Sequence, residues 1–519
     1  MSATRCSECG AAVTASSWSA EALNINVSVA PGTLMRHQEL MTTNALPQDA
    51  EILFIQAVVA KIGARLADIE KKISEVRRRL QQLEDERASL SKYRAQNNAV
   101  VSPLRHMPPE VLAEIFSWTL PTTREALDRR KFDINDGPWV LTHISSRWRA
   151  VALSTSALWS RVDVNCGQPR ANPLPMLKTQ IERAHKLKIH FHGQEKKPAG
   201  PQIEIFRFLA EHSSRWEELV ISLTPHLVPL LDTLQNRLPV LHRLWLQFQR
   251  LESQDVVALH CFRHAPSLLH VGIQNCHRYI PVSFPASQLT QYSLDAPWKV
   301  HAGILKSAIN LIQARVIVNF NNDPWPEPDI INLMCLRGLY VSHSVILDHL
   351  RAPALHGIMI GVTSNPEPAR HLLPFVSRSS CNVTRLGLRG PSNSDQVTEI
   401  LRKLPSVGEL VILLTRASVP IPEILGSTVL APQLRSISFG WEQECHDYAL
   451  CLKILQSRWD AENCALKAAS LLHISGTGPD TRTLQGLEVL RQDGLDLSLL
   501  NGNDASDAIH ASSYSASWA

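Results

Sequence analysis

The chain has 519 residues, 44% of them hydrophobic and 19% charged, an ordinary balance for folded protein with a large core and room for several domains. Its 52 basic and 48 acidic residues leave a net charge of +4, too small to argue for a nucleic-acid or membrane partner. Ten scattered cysteines do not make a disulfide scaffold, no secretory signal is recognisable, and no run approaches the roughly 18 apolar residues of a membrane span, so an intracellular protein of the cytoplasm or nucleus is expected.

Residues 1–48 are rich in Ser, Ala and Thr and show no sustained periodicity, so they are predicted to lack fixed structure, like the polar tail 501–519. Cys6 and Cys9 form a lone CxxC. A zinc site needs four ligands and the next candidate, His37, is distant, so stray thiols are expected and no metal or cofactor.

The pattern changes at residue 49. Ile52, Ile55, Val59, Ile62, Leu66, Ile69, Ile73, Val76, Leu80, Leu83 and Leu90 follow alternating steps of three and four, broken only by Arg87, which predicts a coiled-coil helix over 49–97. In a parallel pair Arg65–Glu70 and Arg79–Glu84 attract and Lys72–Arg77 repel. Two expectations stand: self-association through residues 52–90, or a long helix folded back on its own domain. The run Arg77-Arg78-Arg79 reads as solvated flank charge rather than a nucleic-acid surface.

Three short helices come next. Pro108 and Pro109 suit the first turn of a helix, Leu112, Ile115, Phe116 and Leu120 share one face, and Pro121 stops it. The charged stretch 122–136 reads as a loop. Gly137-Pro138 opens a second helix with Val140, Ile144 and Trp148 at steps of four, Ser154-Thr155-Ser156 ends it, and a third turn carries Leu158 and Trp159. A core this small is marginal alone, and a partner covering an apolar face would remedy that.

On these residues the segment 102–164 resembles an F-box, the motif by which substrate receptors dock on the Skp-type adaptor of cullin–RING ubiquitin ligases. Met107, Pro108, Glu110, Val111 and Leu112 stand for the family's opening, Ile115 and Phe116 for its aliphatic pair, Ile144, Ser145, Trp148 and Arg149 for its third part, and Leu158 and Trp159 for its close. Met107 stands where the family has leucine, Ser145 where it has cysteine, and the loop 122–136 is longer than in compact members; the first two are small or volume-conserving changes. The preceding coiled coil and the "LWSRVDV" exit are similar to the large F-box families of mushroom-forming fungi. The resemblance implies adaptor contacts at Leu104, Met107, Pro108, Glu110, Leu112, Ile115, Phe116, Val140, Ile144, Trp148, Leu158 and Trp159. For Trp148, packing between helices and docking are equally open.

Beyond residue 165 a Leu-x-x-Leu-x-Leu-like core recurs at 216, 241, 268, 289, 313, 336, 355, 383, 407 and 434, with weaker copies at 184, 469 and 492. The spacings average about 24 residues, within the leucine-rich-repeat range. Helix-like pieces such as 256–265 and 397–405 separate the copies. One strand and one helix cannot bury their own apolar edge, so the copies are predicted to stack into a solenoid over 165–500. The Asn or Cys usual after the last leucine appears only at Cys276 and Asn321; Thr224, Ser344, Thr363 and Thr415 are weaker substitutes, and Pro297 and Pro391 cannot donate.

The predicted class is thus multi-domain: an N-terminal coiled-coil helix, a small all-α F-box, and an α/β leucine-rich-repeat solenoid. Residues between the strand leucines should line its concave face, which places Trp245, Gln247, Gln274, Asp295, Tyr340 and Arg389 there as target contacts. The clusters His260-Cys261-His264, Cys276-His277 and Cys445-His446-Cys451 lack the spacing of a metal or nucleophile motif, and no Gly-rich phosphate loop or nucleophile elbow is present. The expected function is a non-enzymatic substrate-recognition subunit of a cullin–RING ligase. A non-ligase scaffold with a degenerate F-box is the alternative, and a nucleic-acid factor using Cys6, Cys9 and Arg77–Arg79 is a weaker third reading.

Overall fold

The computed structural model describes residues 4–5, 12–13, 31–120, 137–167, 174–248, 258–275, 278–361, 367–390, 394–414, 423–441, 447–475 and 478–512. Cys6, Cys9, the loop 122–136, Cys276, His277, Thr363, Pro391, Thr415, Cys445 and His446 lie outside the described residues. The chain divides at Pro108 into two units.

In the first unit Thr4–Arg5 (β1) pairs antiparallel with Ala12–Val13 (β2), and Pro31–Thr42 forms helix α1. The expectation of an unstructured 1–48 therefore fails over these stretches. Long-range contacts supply what local periodicity lacks: Arg36 binds Glu51 at 3.1 Å and the His37 ring meets Phe54 edge-on at 5.8 Å. Asp49–Val100 is one 52-residue helix, α2, opened by a capping box in which the Gln48 N–H donates to Glu51 Oε2 at 2.7 Å. It buries none of its residues. Leu66, Ile69, Ile73, Val76, Leu80 and Leu83 are all exposed along the predicted seam. A short helix, Pro103–His106 (α3), follows.

The second unit begins with Pro109–Thr119 (α4), which buries Leu112 and Phe116 completely. The helix expected through Val140, Ile144 and Trp148 is two helices, Gly137–Ile144 (α5) and Ser146–Ser154 (α6). Ser145 makes the break. Its extended backbone leaves the first amides of α6 without partners, and its Oγ accepts the Trp148 N–H at 3.1 Å. Trp148 consequently leaves the Val140–Ile144 stripe and packs on Phe116.

A single sheet of fourteen parallel strands in sequence order occupies the rest of the unit. The strands are Arg161–Asn165 (β3), Leu187–His192 (β4), Trp216–Leu223 (β5), Arg243–Phe248 (β6), His270–Gln274 (β7), Gln291–Asp295 (β8), Gln313–Ile317 (β9), Gly338–Val341 (β11), Gly357–Gly361 (β13), Arg385–Arg389 (β14), Glu409–Leu414 (β15), Ser436–Trp441 (β16), Ala468–His473 (β17) and Asp496–Asn501 (β18). Ile331–Asn332 (β10) and Leu350–Arg351 (β12) pair with each other apart from it. The connections hold Leu174–Arg183 (α7), Ala199–Glu211 (α8), Trp298–Ser307 (α9), Pro368–Ser379 (α10), Ser394–Lys403 (α11), Tyr448–Trp459 (α12) and Thr481–Gln492 (α13), giving a large parallel sheet with helices, consistent with an α/β solenoid.

Each recurring apolar core falls on a strand, because its alternate leucines fill one face: Leu244 and Leu246 on β6, Leu386 and Leu388 on β14, and Leu410 and Ile412 on β15 are essentially unexposed. The array starts earlier than residue 165. Val162 and Val164 are buried and stand opposite Ile189 and Phe191, so β3 belongs to the sheet rather than to the helical segment. The piece 256–265, expected to be helical, is described from residue 258 as turns around an isolated bridge, Leu259 to Val282. Asn321 accepts the Trp298 N–H on its Oδ1 at 3.0 Å.

Three arginines, Arg458 buried and Arg215 and Arg378 half-buried, join neighbouring connections. Arg215 donates to the carbonyls of Ile181, Ala184 and His185, and Arg378 to those of Leu347 and Leu350. Arg458, 3% exposed, donates to Leu425, Ser427, Leu430 and Ala431. In each case the fixed fork of a guanidinium donates to several carbonyls of the preceding connection at once. After β18 the chain does not trail off. Gly502–Ser512 forms α14, burying Ala505 and Ile509, so the polar tail expected from 501 is ordered as far as Ser512.

Candidate docking surfaces

The helical segment 109–159 sorts its apolar residues into two sets. Leu112, Phe116, Leu141, Val151, Leu158 and Trp159 are buried. Trp159 donates its Nε1–H to the Ala152 carbonyl at 2.8 Å, meets Trp139 edge-on at 5.0 Å, and lies under the Arg183 guanidinium at 4.4 Å. Arg183 ends α7, so this tryptophan joins the helices to the first repeat of the sheet. Of the residues expected to meet an adaptor, Leu112, Phe116, Leu158 and Trp159 are therefore core. Their spacing suits a core face as well as a docking face, and burial assigns them to the core.

Most of the remaining residues of that set are exposed. Ile115 lies beside Val111 and the 81% exposed Trp118 on an i, i+4, i+7 stripe of α4, adjacent to the face that buries Leu112 and Phe116. Val140 and Ile144 form a second exposed stripe on α5, and Glu110 is exposed at the start of α4. Trp148 is half-buried, its ring 4.7 Å from that of Phe116. In the first unit Leu104 and Pro108 are exposed and Met107 is half-buried. Val111 and Trp118 were absent from the expected contact set, although their step from Ile115 announces them.

The register places the six expected target contacts on one face of the sheet, the one opposite the leucines. Trp245 and Gln247 are half-buried, Gln274 is exposed and Arg389 is half-buried. Gln247 Oε1 accepts the Ser222 hydroxyl at 2.9 Å. Asp295 and Tyr340 do not wait for a target. Asp295 is 7% exposed and accepts two hydrogen bonds from Asn319, while burial pushes its carboxyl up. Tyr340 is 4% exposed, with the Arg315 guanidinium 4.9 Å above its ring.

The same face changes character along the sheet. Near β3 it is charged: His190, 1% exposed, bridges Asp163 and Glu218 at 2.9 Å each, with Arg161 on Asp163 at 3.0 Å. Burial opposes the imidazolium, yet the bond to Asp163 and then that to Glu218 raise its pKa, and the same contacts hold both carboxyls low against their own burial. Toward β18 the face is apolar, where Tyr340, Met359, Val411, Leu413 and Leu472 cluster with Ala505 and Ile509 of α14. The sequence signal for this patch is the loss of alternation in "GIMIG" and "ELVILL", runs apolar on both faces of the strand.

Burial pushes the Cys166 and Cys261 thiols up to about 12, so neither is poised as a nucleophile. Among the described residues no group of three or more His, Cys, Asp or Glu could hold a metal ion, and no helix is long and apolar enough to cross a membrane. No protein-family model and no curated protein matches the chain.

Proposed function

We propose that this chain is a substrate receptor of a cullin–RING ubiquitin ligase, with the helical segment as an F-box that docks a Skp-type adaptor and the sheet as a leucine-rich-repeat-like array that holds a target. The observation that carries this reading is the pair of exposed apolar stripes, Val111–Ile115–Trp118 and Val140–Ile144, on helices that bury Leu112 and Phe116, and Leu141, respectively. A small helical segment that leaves such residues in water suits an adaptor that would cover them. The receptor does no covalent chemistry; it raises the target's effective concentration beside the charged conjugating enzyme. Self-association through the exposed seam of α2 belongs to the same reading.

The test is capture of a purified Skp-type adaptor by the full chain and by an Ile115→Asp/Ile144→Asp variant. Saturable binding by the wild type and its loss in the variant are expected. A folded wild-type chain that fails to bind would favour the second reading, a scaffold without a ligase, for which the locking of Trp159 under Arg183 speaks.

A further inference from the structure

Serine or threonine stands directly before proline at two places in the chain, Ser102-Pro103 and Thr224-Pro225, and the fold treats the two oppositely. Thr224 is 2% exposed, and Leu227, three places on, is fully buried. Ser102 lies in the connection between α2 and α3, and Val101, Pro103, Leu104 and Arg105 around it are all exposed. Its backbone is extended, at φ −57° and ψ 132°, as a proline imposes on the residue before it. Its side chain makes no capping hydrogen bond to α3.

These surroundings favour phosphoryl transfer to the Ser102 hydroxyl. A proline-directed kinase takes its acceptor extended and leaves the next amide position without a partner, which proline, having no N–H, tolerates. Little resists that engagement, for α3 is one turn of four residues, closed by the Arg105 N–H donating to the Ser102 carbonyl at 2.9 Å. Arg105, three places after the serine, offers such a kinase a cation for an anionic group of its own. The neighbourhood is basic: Arg105 and His106 lie in α3, and no Asp or Glu occurs from Arg87 to Pro109.

We infer that Ser102 is the acceptor of a proline-directed serine/threonine kinase, and that phosphate there releases the adaptor. The inference rests on the receptor reading and deepens it by naming a switch beside the docking residues. In the transfer the Ser102 oxygen bonds to the γ-phosphorus of a nucleoside triphosphate and the bond to the bridging oxygen breaks. The diphosphate leaves, and the hydroxyl proton passes to the kinase's base. The new group carries about −1.5 to −2 charge at neutral pH. Leu104, Met107 and Pro108, which the receptor reading sets against the adaptor, follow within six residues, and Leu104 is 44% exposed. Covering them would draw the phosphate out of water, and Arg105 answers only part of its charge, so docking weakens.

The experiment treats the full chain and a Ser102→Ala variant with a purified cyclin-dependent kinase and magnesium ATP, and maps the phosphate by mass spectrometry of the digest. Incorporation at Ser102 in the wild type, its loss in the variant, and none at Thr224 are expected. A folded wild-type chain that takes up no phosphate, or a variant that takes up as much, would overturn the inference. Adaptor capture is then measured on the same proteins. The phosphorylated wild type should bind at least tenfold more weakly, a phosphatase should restore it, and kinase-treated Ser102→Ala should bind as before. Equal capture by the phosphorylated and untreated wild type would refute the switch. Absence of capture by every form would sink the receptor reading and the switch with it, whereas the site stands or falls on incorporation alone.

Discussion

The rings of Phe116 and Trp148 lie 4.7 Å apart, centroid to centroid, at an interplanar angle of 51°. The phenylalanine is fully buried and the tryptophan half-buried, so Trp148 forms the outer wall of the helical core. Trp148→Ala should lower the stability of the helical segment by about 2–3 kcal/mol, below the ~3–5 kcal/mol of a fully buried tryptophan, because part of its surface already meets water. Ile144→Asp, at a residue 54% exposed, should cost less than about 0.5 kcal/mol yet abolish adaptor capture. Chemical unfolding read alongside a pull-down separates the two residues, and equal stability losses would contradict this division of labour.

The exposed seam of α2 predicts a concentration-dependent mass. Sedimentation equilibrium of the full chain should report self-association, and Ile69→Asp/Ile73→Asp should return it to a monomer with little loss of helicity elsewhere. An unchanged wild-type mass down the concentration series, equal to that of one chain, would refute pairing through residues 52–90.

The clasp of His190 between Asp163 and Glu218 predicts a pH dependence at the β3 end. A histidine whose pKa is raised in the folded state contributes stability below its ordinary value of about 6.5, and loses that contribution as pH rises through the raised value. The two depressed carboxyls contribute above about pH 4 and lose their contribution as pH falls through their lowered values. His190→Gln should therefore destabilise the chain near pH 6, by about 3 kcal/mol as for one partner lost from a buried ion pair, and flatten the decline between pH 6 and 9. Unfolding midpoints at the two pH values check it, and a variant with the wild-type slope would show that another group titrates.

Arg458 predicts a large stability effect without any partner. Burial pushes its guanidinium down to about 10, so it stays charged at neutral pH while donating to four carbonyls. Arg458→Met fills similar space but removes the guanidinium's hydrogen bonds to those carbonyls, of which Ala431 keeps its bond from the Leu434 N–H, and a loss of about 3 kcal/mol is expected. Limited proteolysis should then cut first near residues 425–431, which the arginine holds.

How much of this was legible depends on how far apart the deciding atoms lie in the chain. The α2 stripe and the leucine positions of each strand repeat at short, fixed intervals, so helical and strand periods announced them directly. Ser145 did not announce itself: a serine between two apolar runs reads as a tolerated helix residue until its hydroxyl is seen on the Trp148 amide. The exposed apolar residues of the helical segment were half-legible, because an i, i+4 pair such as Leu112–Phe116 looks the same whether it faces a core or a partner. Asp295 and Tyr340 lie on the face opposite the leucines, as their spacing required, but Asn319 and Arg315, which pack on them, come from the neighbouring strand connection and strand.

The sequence by itself determined what depends on local repetition: the long helix, the short helices around Pro109 and Gly137, and the strand that opens each copy of the repeat. Tertiary structure alone decided which apolar residues remain in water and which segment covers the open face. Ala505 and Ile509 are two apolar side chains in a polar stretch, too few to predict order. They become a helix with a place to sit only once Leu413 and Leu472 have been brought beside each other by strands paired across the sheet. Burial is a property of the assembled surface, and no stretch of chain carries it alone.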